Sequence, residues 1–354
     1  MKSINIRGPL STQIGYAHVS FNVAKALHAQ GTKVAYFPIG QPQLTTNDVE
    51  LLQTWLNNQA TFDYKAPSLL VWHEFALGEF AAGSPLAAYP FFEMNRLDAR
   101  RVHHLKYPDI IFTASQWAKE VLAQYNISSS VVPVGVDRDI FYSKSAEPKD
   151  GPTTFINLGK LEIRKGHDIL HEAFNRAFSP ADNVNLIVSW NNPFVPEGEM
   201  REWVQMYKNT PLGNKINFVG YAPTDYALAD LIRAADCMVA PTRAEGACLP
   251  LLQALSCGLE VITTNYSAHT EFCHRGNAHL VNITKLEPAY DGKWFNGQGE
   301  WAHIGEAEID QMVQHMRDLH RLRQDRGYLY NEVGVDTAKQ FTWKHTAQKI
   351  CDIL

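Results

Sequence analysis

A carboxylate sits in a short loop that also carries an arginine and a glycine: Arg243, Glu245 and Gly246. The loop follows Cys237-Met238-Val239-Ala240, an apolar run that reads as a buried strand closed by Pro241. Pro250 stands where the first turn of a helix tolerates a residue with no N–H. Leu251, Leu252, Ala254 and Leu255 give that helix an apolar face, and Gly258 ends it. Another apolar strand, Glu260 to Thr264, comes next. Strand, loop, helix and strand make a right-handed crossover, and such units hold ligands at the carboxyl ends of their strands. The loop therefore aims Glu245 and the free N–H groups of residues 246 to 249 at one place. A helix start of that kind attracts an anion. A glutamate that merely caps the helix is the structural alternative.

Three further groups could do chemistry. His73 and Glu74 fall at the carboxyl end of Leu69 to Trp72, where sheet proteins place working side chains, although a capping or surface histidine fits equally. Glu93 ends the aromatic stretch Tyr89 to Phe92. Gly159 to Gly166 is a turn between a strand and a helix that carries Lys160 and Lys165, and on its residues alone it reads as a solvated basic turn. His103-His104 belongs to a basic, solvated helix face, and no His, Cys, Asp or Glu cluster has the spacing of metal ligands.

Composition narrows the partners. With 354 residues the chain has room for two ordinary domains, and it is 45% hydrophobic and 19% charged. A net charge of −5 argues against electrostatic holding of nucleic acid. No apolar run approaches the ~18 residues of a membrane span. The opening MKSINIRGPL reads as a strand and not as a signal peptide. Five cysteines without a C-x-x-C pair fit a reducing compartment, and the expectation is a cytoplasmic protein.

The elements that must position these groups fall into two halves. Residues 3 to 6 read as a strand, Arg7 to Gly15 as a loop, Tyr16 to Gln30 as a helix and Lys33 to Ile39 as a strand. No G-x-G-x-x-G accompanies this βαβ opening, so a dinucleotide site lacks its anchor. Strand, helix and strand follow at Asp109 to Ala114, Gln116 to Tyr125 and Ser130 to Val134. Residues 143 to 152 are polar with proline and glycine, as in a linker. The pattern restarts with a strand at Thr154 to Leu158 and a helix at Gly166 to Phe178. Asn185 to Trp190, Ile216 to Gly220 and Asn277 to Ile283 are further strands, and Tyr226 to Ala235 a helix. Residues 284 to 304 read as a long loop folded over a cleft, and Glu308 to Arg323 as an amphipathic helix.

Several of these stretches resemble the retaining family-4 glycosyltransferases of the GT-B fold. Glu245, Gly246, Leu249 and Pro250 match that family's EG-x-G-L-P loop, while Cys248 replaces its second glycine and Gln253 the glutamate on the following helix. Pro133-Val134-Gly135-Val136-Asp137 with Phe141 matches the hand-over between the family's domains. Gly159 to Gly166 resembles its GR-x-x-x-x-KG element, with Lys165 matched and Lys160 in place of the arginine. Gly15 corresponds to the glycine of the family's opening loop.

The resemblance implies an α/β protein of two Rossmann-like βαβ domains facing across a cleft: an acceptor domain over 1–145, a nucleotide-sugar donor domain over 153–335, and a helix within 336–354 returning to the first domain. It implies transfer of a sugar from a UDP- or GDP-sugar to a hydroxyl, with retention, without a metal or other cofactor, the leaving phosphate taking the acceptor's proton. His73, Lys160, Lys165 and Glu245 would be the catalytic group. Gly15, Lys160, Lys165, Arg243, Glu245, Gly246, Ala247, Cys248, Leu249 and Gln253 would hold the donor, with Gln253 on the ribose. His73, Glu74 and Glu93 would meet the acceptor, whose identity the sequence leaves open. A non-catalytic nucleotide-sugar binder and a GT-B nucleotide-sugar epimerase are the alternatives. If Gln253 holds the ribose, Gln253→Glu should tighten nucleotide binding by about 1 kcal/mol, since a carboxylate accepts from both hydroxyls.

Overall fold

The computed structural model describes residues 1–11, 14–43, 48–79, 83–143, 147–190 and 192–354. Residues 12–13 of the expected first loop and 144–146 of the expected linker lie outside the described residues.

The first half builds a six-stranded sheet from β1 (Ser3–Ser11), β2 (Lys33–Gln43), β3 (Ser68–Leu70), β4 (Leu86–Ala88), β5 (Ile110–Thr113) and β6 (Ser130–Val131). Its order is β2-β1-β3-β4-β5-β6, and every neighbouring pair is parallel. The helices α1 (Gly15–Ala29), α2 (Val49–Asn57), α3 (Ala99–Leu105) and α4 (Gln116–Ala123) connect it. The second half repeats the plan with β7 (Thr153–Gly159), β8 (Val184–Trp190), β9 (Ile216–Val219), β10 (Cys237–Ala240), β11 (Glu260–Thr264) and β12 (His279–Val281). These run in the order β12-β11-β10-β7-β8-β9, again all parallel. Their crossovers carry α5 (His167–Ala177), α6 (Glu197–Lys208), α7 (Asp225–Arg233) and α8 (Leu249–Ser256).

Each order reverses direction once. In the first sheet the reversal falls between β1 and β3, and in the second between β7 and β10. Crevices open beyond the carboxyl ends of strands at such points, because the connections leave to opposite faces of the sheet. Both sheets therefore offer a crevice, at Ser11 and His73 in one half and at Gly159 and Pro241 in the other.

The strands read easily because a parallel sheet is covered on both faces. Phe155 and Ile156 of β7 and Met238 and Val239 of β10 are all but fully buried, which makes near-continuous apolar runs. After β12 come a hairpin of β13 (Leu286–Tyr290) and β14 (Asn296–Ala302), then α9 (Glu306–Arg326), α10 (Glu332–Ala338) and α11 (Trp343–Ile353). The last helix returns to the first half. Val136 N donates to Phe341 O at 2.9 Å, Thr346 Oγ1 donates to Pro133 O at 2.8 Å, and Ile350 is fully buried in the shared core.

Two expectations are corrected. The segment 284 to 304 is an antiparallel hairpin and not a structureless loop. Trp301 and Ala289 bury their side chains against Met94 and Ala244, and Glu300 bonds both ways with Asn95 at 2.8 and 3.1 Å. The glycine-rich composition that suggested a loop serves a strand passing close to the first half. Likewise β1 extends to Ser11 because Gly8 and Pro9 keep their pairing with β2, so the expected loop from Arg7 shrinks.

Candidate functional site

The two crevices meet in one cavity of about 420 Å³, walled by both halves of the chain. Gly15 to Val19 of α1, Phe91 and Glu93 come from the first half; Gly159, Lys160, Arg164, Lys165 and residues 245 to 250 come from the second. Two helices begin here without a side-chain cap, α1 after Ile14 and α8 after Cys248. Ser115 and Thr342 cap their helices elsewhere, and Thr224 caps α7, whose start also lines the cavity. The first N–H groups of α1 and α8 are thus without a side-chain partner at the cavity.

The residues following β7 bring three cations together. Lys165 Nζ lies 2.6 Å from Glu245 Oε1, and Arg164 Nη1 is 3.3 Å from Glu245 Oε2. Arg164 also reaches Glu162 at 2.7 Å and donates to the carbonyl of Ala244 at 2.7 Å. Lys160 Nζ holds the other side of Glu162 at 2.9 Å. The Glu245 backbone is pinned as well, its N–H donating to Ser267 Oγ at 2.8 Å. Burial alone would raise the Glu245 carboxyl, but the ammonium of Lys165 and the guanidinium of Arg164 bring it down to about 2. Glu162 is lowered by the same balance: burial opposes its charge, and Arg164, Lys160 and Lys165 overcome it. Both carboxylates stay charged at neutral pH, and three cations face them. Within this cluster the cations outnumber the two carboxylates by one.

Local backbone geometry explains why the turn has this sequence. Gly166 has φ +72° and sits where a Cβ would come 1.9 Å from the carbonyl oxygen of Pro241. Only glycine lets the turn after β7 cross the loop after β10 this closely. Cys248 adopts φ +66°, the left-handed region that glycine enters freely, which accounts for the glycine usual at this position in the resembling family. Here a buried thiol, pushed up to about 12 by burial, fills the space instead.

The structure places the expected residues unequally. Gly15, Lys160, Lys165, Glu245, Gly246, Ala247, Cys248, Leu249, Gln253 and Glu93 line the cavity. Arg243, His73 and Glu74 do not. Arg243 turns the other way: its guanidinium takes Asp168 at 2.8 Å and Glu287 at 2.8 Å and donates to Ile163 O at 2.6 Å. It fastens the loop to α5 and to the hairpin. Glu74 is buried away from the cavity lining, with one carboxylate oxygen held by Arg101 Nε at 2.7 Å. His73 packs at a tilt against the ring of Tyr16, centroids 4.6 Å apart, and Tyr16 is what faces the cavity. Burial, helped by Lys160 and Arg101, lowers His73 to about 4, so its imidazole is neutral at pH 7. Sequence reasoning passed over Arg164, which is buried at the centre of the ion network; it sits one residue before the matched Lys165, and that adjacency was the available signal.

Gln253 needs the most revision. It is nine-tenths buried, faces the cavity, and shares a small recess with His18, Asp137 and Asp225. Burial raises Asp225, and Asp137 and Asp48 push the same way against His18. A third carboxylate in that recess would meet like charge. The expected gain from Gln253→Glu therefore reverses: calorimetry with UDP or GDP at pH 8 should show binding weaker by about 1 kcal/mol or more. Tighter binding at pH 8 would show that the ribose hydroxyls outweigh the repulsion.

Residues 139–284 match the family model described as "Glycosyl transferases group 1". An uncharacterized glycosyltransferase of Methanocaldococcus jannaschii is 25% identical over 239 residues, which cover 60% of this chain and 55% of that protein. The GDP-mannose-dependent alpha-(1-6)-phosphatidylinositol dimannoside mannosyltransferase of Mycobacterium tuberculosis is 24% identical over 171 residues, 46% of this chain and 42% of that one. The matched stretches thus span about half of these curated relatives or less. Among solved structures, Anabaena HepE in complex with UDP and glucose superposes with a TM-score of 0.73 at 16% identity, covering 100% of this chain and 99% of that one. Sucrose-phosphate synthase from Thermosynechococcus elongatus superposes with a TM-score of 0.67 at 16% identity, over 100% and 98% of the two chains. The two facing parallel sheets and these superpositions show the GT-B fold, and the sequence matches support the GT-B glycosyltransferase superfamily.

Proposed function

We propose that this GT-B chain moves a sugar from a UDP- or GDP-sugar to a hydroxyl acceptor, with retention at the anomeric carbon and without a metal. The observation that carries this reading is the cation group Lys160, Arg164 and Lys165, set at the topological reversal of the second sheet beside the uncapped start of α8. Breaking the bond between the anomeric carbon and a diphosphate puts growing negative charge on the departing group. Fixed cations and N–H donors aimed there lower the barrier without having to reorganise. They also do the work a divalent cation does elsewhere, and among the described residues no cluster of three His, Cys, Asp or Glu is arranged for one.

The remaining roles follow from position. Glu245, charged and pinned by Ser267, accepts hydrogen bonds from donor-sugar hydroxyls, and Lys165 between it and the diphosphate couples sugar to leaving group. The nucleoside extends toward Ser189, Tyr221 and Gln253, which line the same cavity. His73 acts through Tyr16, against whose ring it packs. The names of the relatives favour this assignment: one uses GDP-mannose, and a structural neighbour holds UDP and glucose. No helix among the described residues is long and apolar enough to cross a membrane, and the five free cysteines favour a reducing, cytoplasmic setting.

Incubation with UDP-glucose, UDP-galactose and GDP-mannose, with chelator present, tests the reading. Release of nucleoside diphosphate on adding water or an acceptor supports transfer. Saturable binding with no release supports a binding protein, and release that depends on added magnesium contradicts the metal-free part.

A further inference from the structure

Four carboxylates stand in or beside the reacting end of the cavity, and three of them are taken. Glu245 is held by Lys165 and Arg164, Glu162 by Lys160 and Arg164, and Glu74 by Arg101. Glu93 is the fourth. It lines the cavity from the first half of the chain, opposite the cations. Its nearest charge is Arg164 Nη2 at 4.0 Å, beyond hydrogen-bond reach, and its side chain keeps 24% exposure toward the cavity. Among the described residues its carboxyl oxygens accept no hydrogen bond. A carboxylate left open while its three neighbours are each paired with a cation is suited to a group that arrives with the substrate.

We infer that Glu93 takes the proton of the attacking acceptor hydroxyl. This rests on the glycosyl-transfer reading above and departs from it in one respect, since the resemblance gives that proton to the leaving phosphate. As the acceptor oxygen bonds to the anomeric carbon, its proton passes to a Glu93 carboxylate oxygen. The bond from that carbon to the diphosphate breaks, and its electron pair stays on the diphosphate oxygen beside Lys160, Arg164 and Lys165. After product leaves, Glu93 returns the proton to water, and the enzyme is restored.

The charges around Glu93 favour this step. Burial raises its carboxyl to about 7; Arg164 works against that, while Glu74 of its own half and Glu162 and Glu245 across the cavity add to it. Tyr16 also faces it and is itself raised by burial and by Glu93. A base near neutrality is matched to abstracting a proton at working pH. Binding strengthens the effect, because a diphosphate brings negative charge to the guanidinium that now moderates Glu93. Nucleotide binding at pH 7 should therefore draw a proton onto this carboxyl, and in the complex the ionised form that acts as base grows in as pH rises above that point.

The test has two arms, run on the full chain and on Glu93→Gln. Calorimetry of UDP and GDP binding at pH 7, in buffers of differing ionisation enthalpy, should show net proton uptake that the variant loses while its affinity holds. For nucleotide release from UDP-glucose or GDP-mannose with water as acceptor, kcat/KM should rise with pH through an inflection near 7 in the parent chain, and kcat through a higher one. In Glu93→Gln the profile should flatten and turnover fall by about a hundredfold or more, with donor KM little changed. Glu93→Asp should keep the inflection. The Gln variant should fold, and at pH 8 it should melt no lower than the parent. A carboxyl raised in the folded state costs stability as pH climbs from the ordinary carboxylate value through 7, and the amide removes that cost. An unchanged pH profile, or equal proton uptake by both proteins, would overturn the assignment of Glu93 alone. Failure of the parent chain to bind either nucleotide would overturn the functional reading and this inference with it.

Discussion

Replacing Lys165 by alanine is expected to lower turnover by about two to three orders of magnitude, the effect of removing one fixed donor from a site of developing charge. Lys165 is buried, and its pKa is raised because Glu245 outweighs the penalty of burial, so the ammonium is charged throughout the neutral range. Its 2.6 Å contact with Glu245 gives it a second duty, holding the carboxylate that meets the sugar. The two duties separate kinetically. Loss of the leaving-group contact lowers kcat at saturating donor, whereas loss of sugar orientation alone raises KM for the sugar nucleotide and leaves affinity for the free nucleoside diphosphate intact. We expect kcat to carry most of the loss, with Lys160→Ala milder because Lys160 is more exposed and its ion pair is with Glu162 and not with Glu245. Unchanged turnover at saturating donor in both variants would show that the cradle lies elsewhere.

Arg164→Ala is expected to destabilise the fold by about 3–5 kcal/mol, the usual cost of removing one partner from a buried ion pair. The arginine is 6% exposed and serves Glu162, Glu245 and the Ala244 carbonyl at once. Its loss leaves buried carboxylates short of a counter-charge. The sign with pH follows. Glu245 is depressed to about 2, so the stability it contributes is present above the ordinary carboxylate value and disappears as pH falls through that folded value. The difference between parent and variant should accordingly be largest at pH 7 and shrink toward pH 4, as carboxyls stripped of their cation take up protons. Urea unfolding at both pH values measures this. A difference under about 1 kcal/mol at pH 7 would mean that the network is solvated like a surface pair.

The architecture was legible in the sequence wherever burial on both faces of a parallel strand makes a continuous apolar run, as in Thr154 to Leu158, Asn185 to Trp190 and Cys237 to Ala240. It was less legible where strands are short. β4 is three residues of leucine and alanine, α2 buries only Leu52 and Trp55 and α6 only Tyr207, so none stood out. The hairpin hid behind its glycines, which read as loop composition but allow close passage against Arg96.

The site divides in the same way. Residues that the backbone itself aims, Glu245 to Leu249 and the turn at Lys165, were found because strand ends and helix starts fix their direction. Side chains long enough to turn either way were not. Arg243 swings to Asp168 and Glu287, while Arg164, which looks in sequence like one more surface cation, swings inward. His73 lies at the right strand end, yet the ring of Tyr16 from the next helix stands on the cavity side of it. Pairwise choices of this kind depend on which carboxylates fold nearby, and those come from distant parts of the chain.

The most direct test of the central claim, that Lys160, Arg164 and Lys165 cradle a diphosphate, is a calorimetric comparison of UDP with UMP and of GDP with GMP in the presence of chelator. The second phosphate should bring at least about a tenfold gain in affinity for one of the two pairs, a charge-assisted contact being worth roughly 1.5–3 kcal/mol. Lys165→Ala should erase most of that gain while leaving monophosphate binding in place. Equal affinity for mono- and diphosphate in the parent chain, or a gain that survives loss of Lys165 and of Lys160, would contradict it.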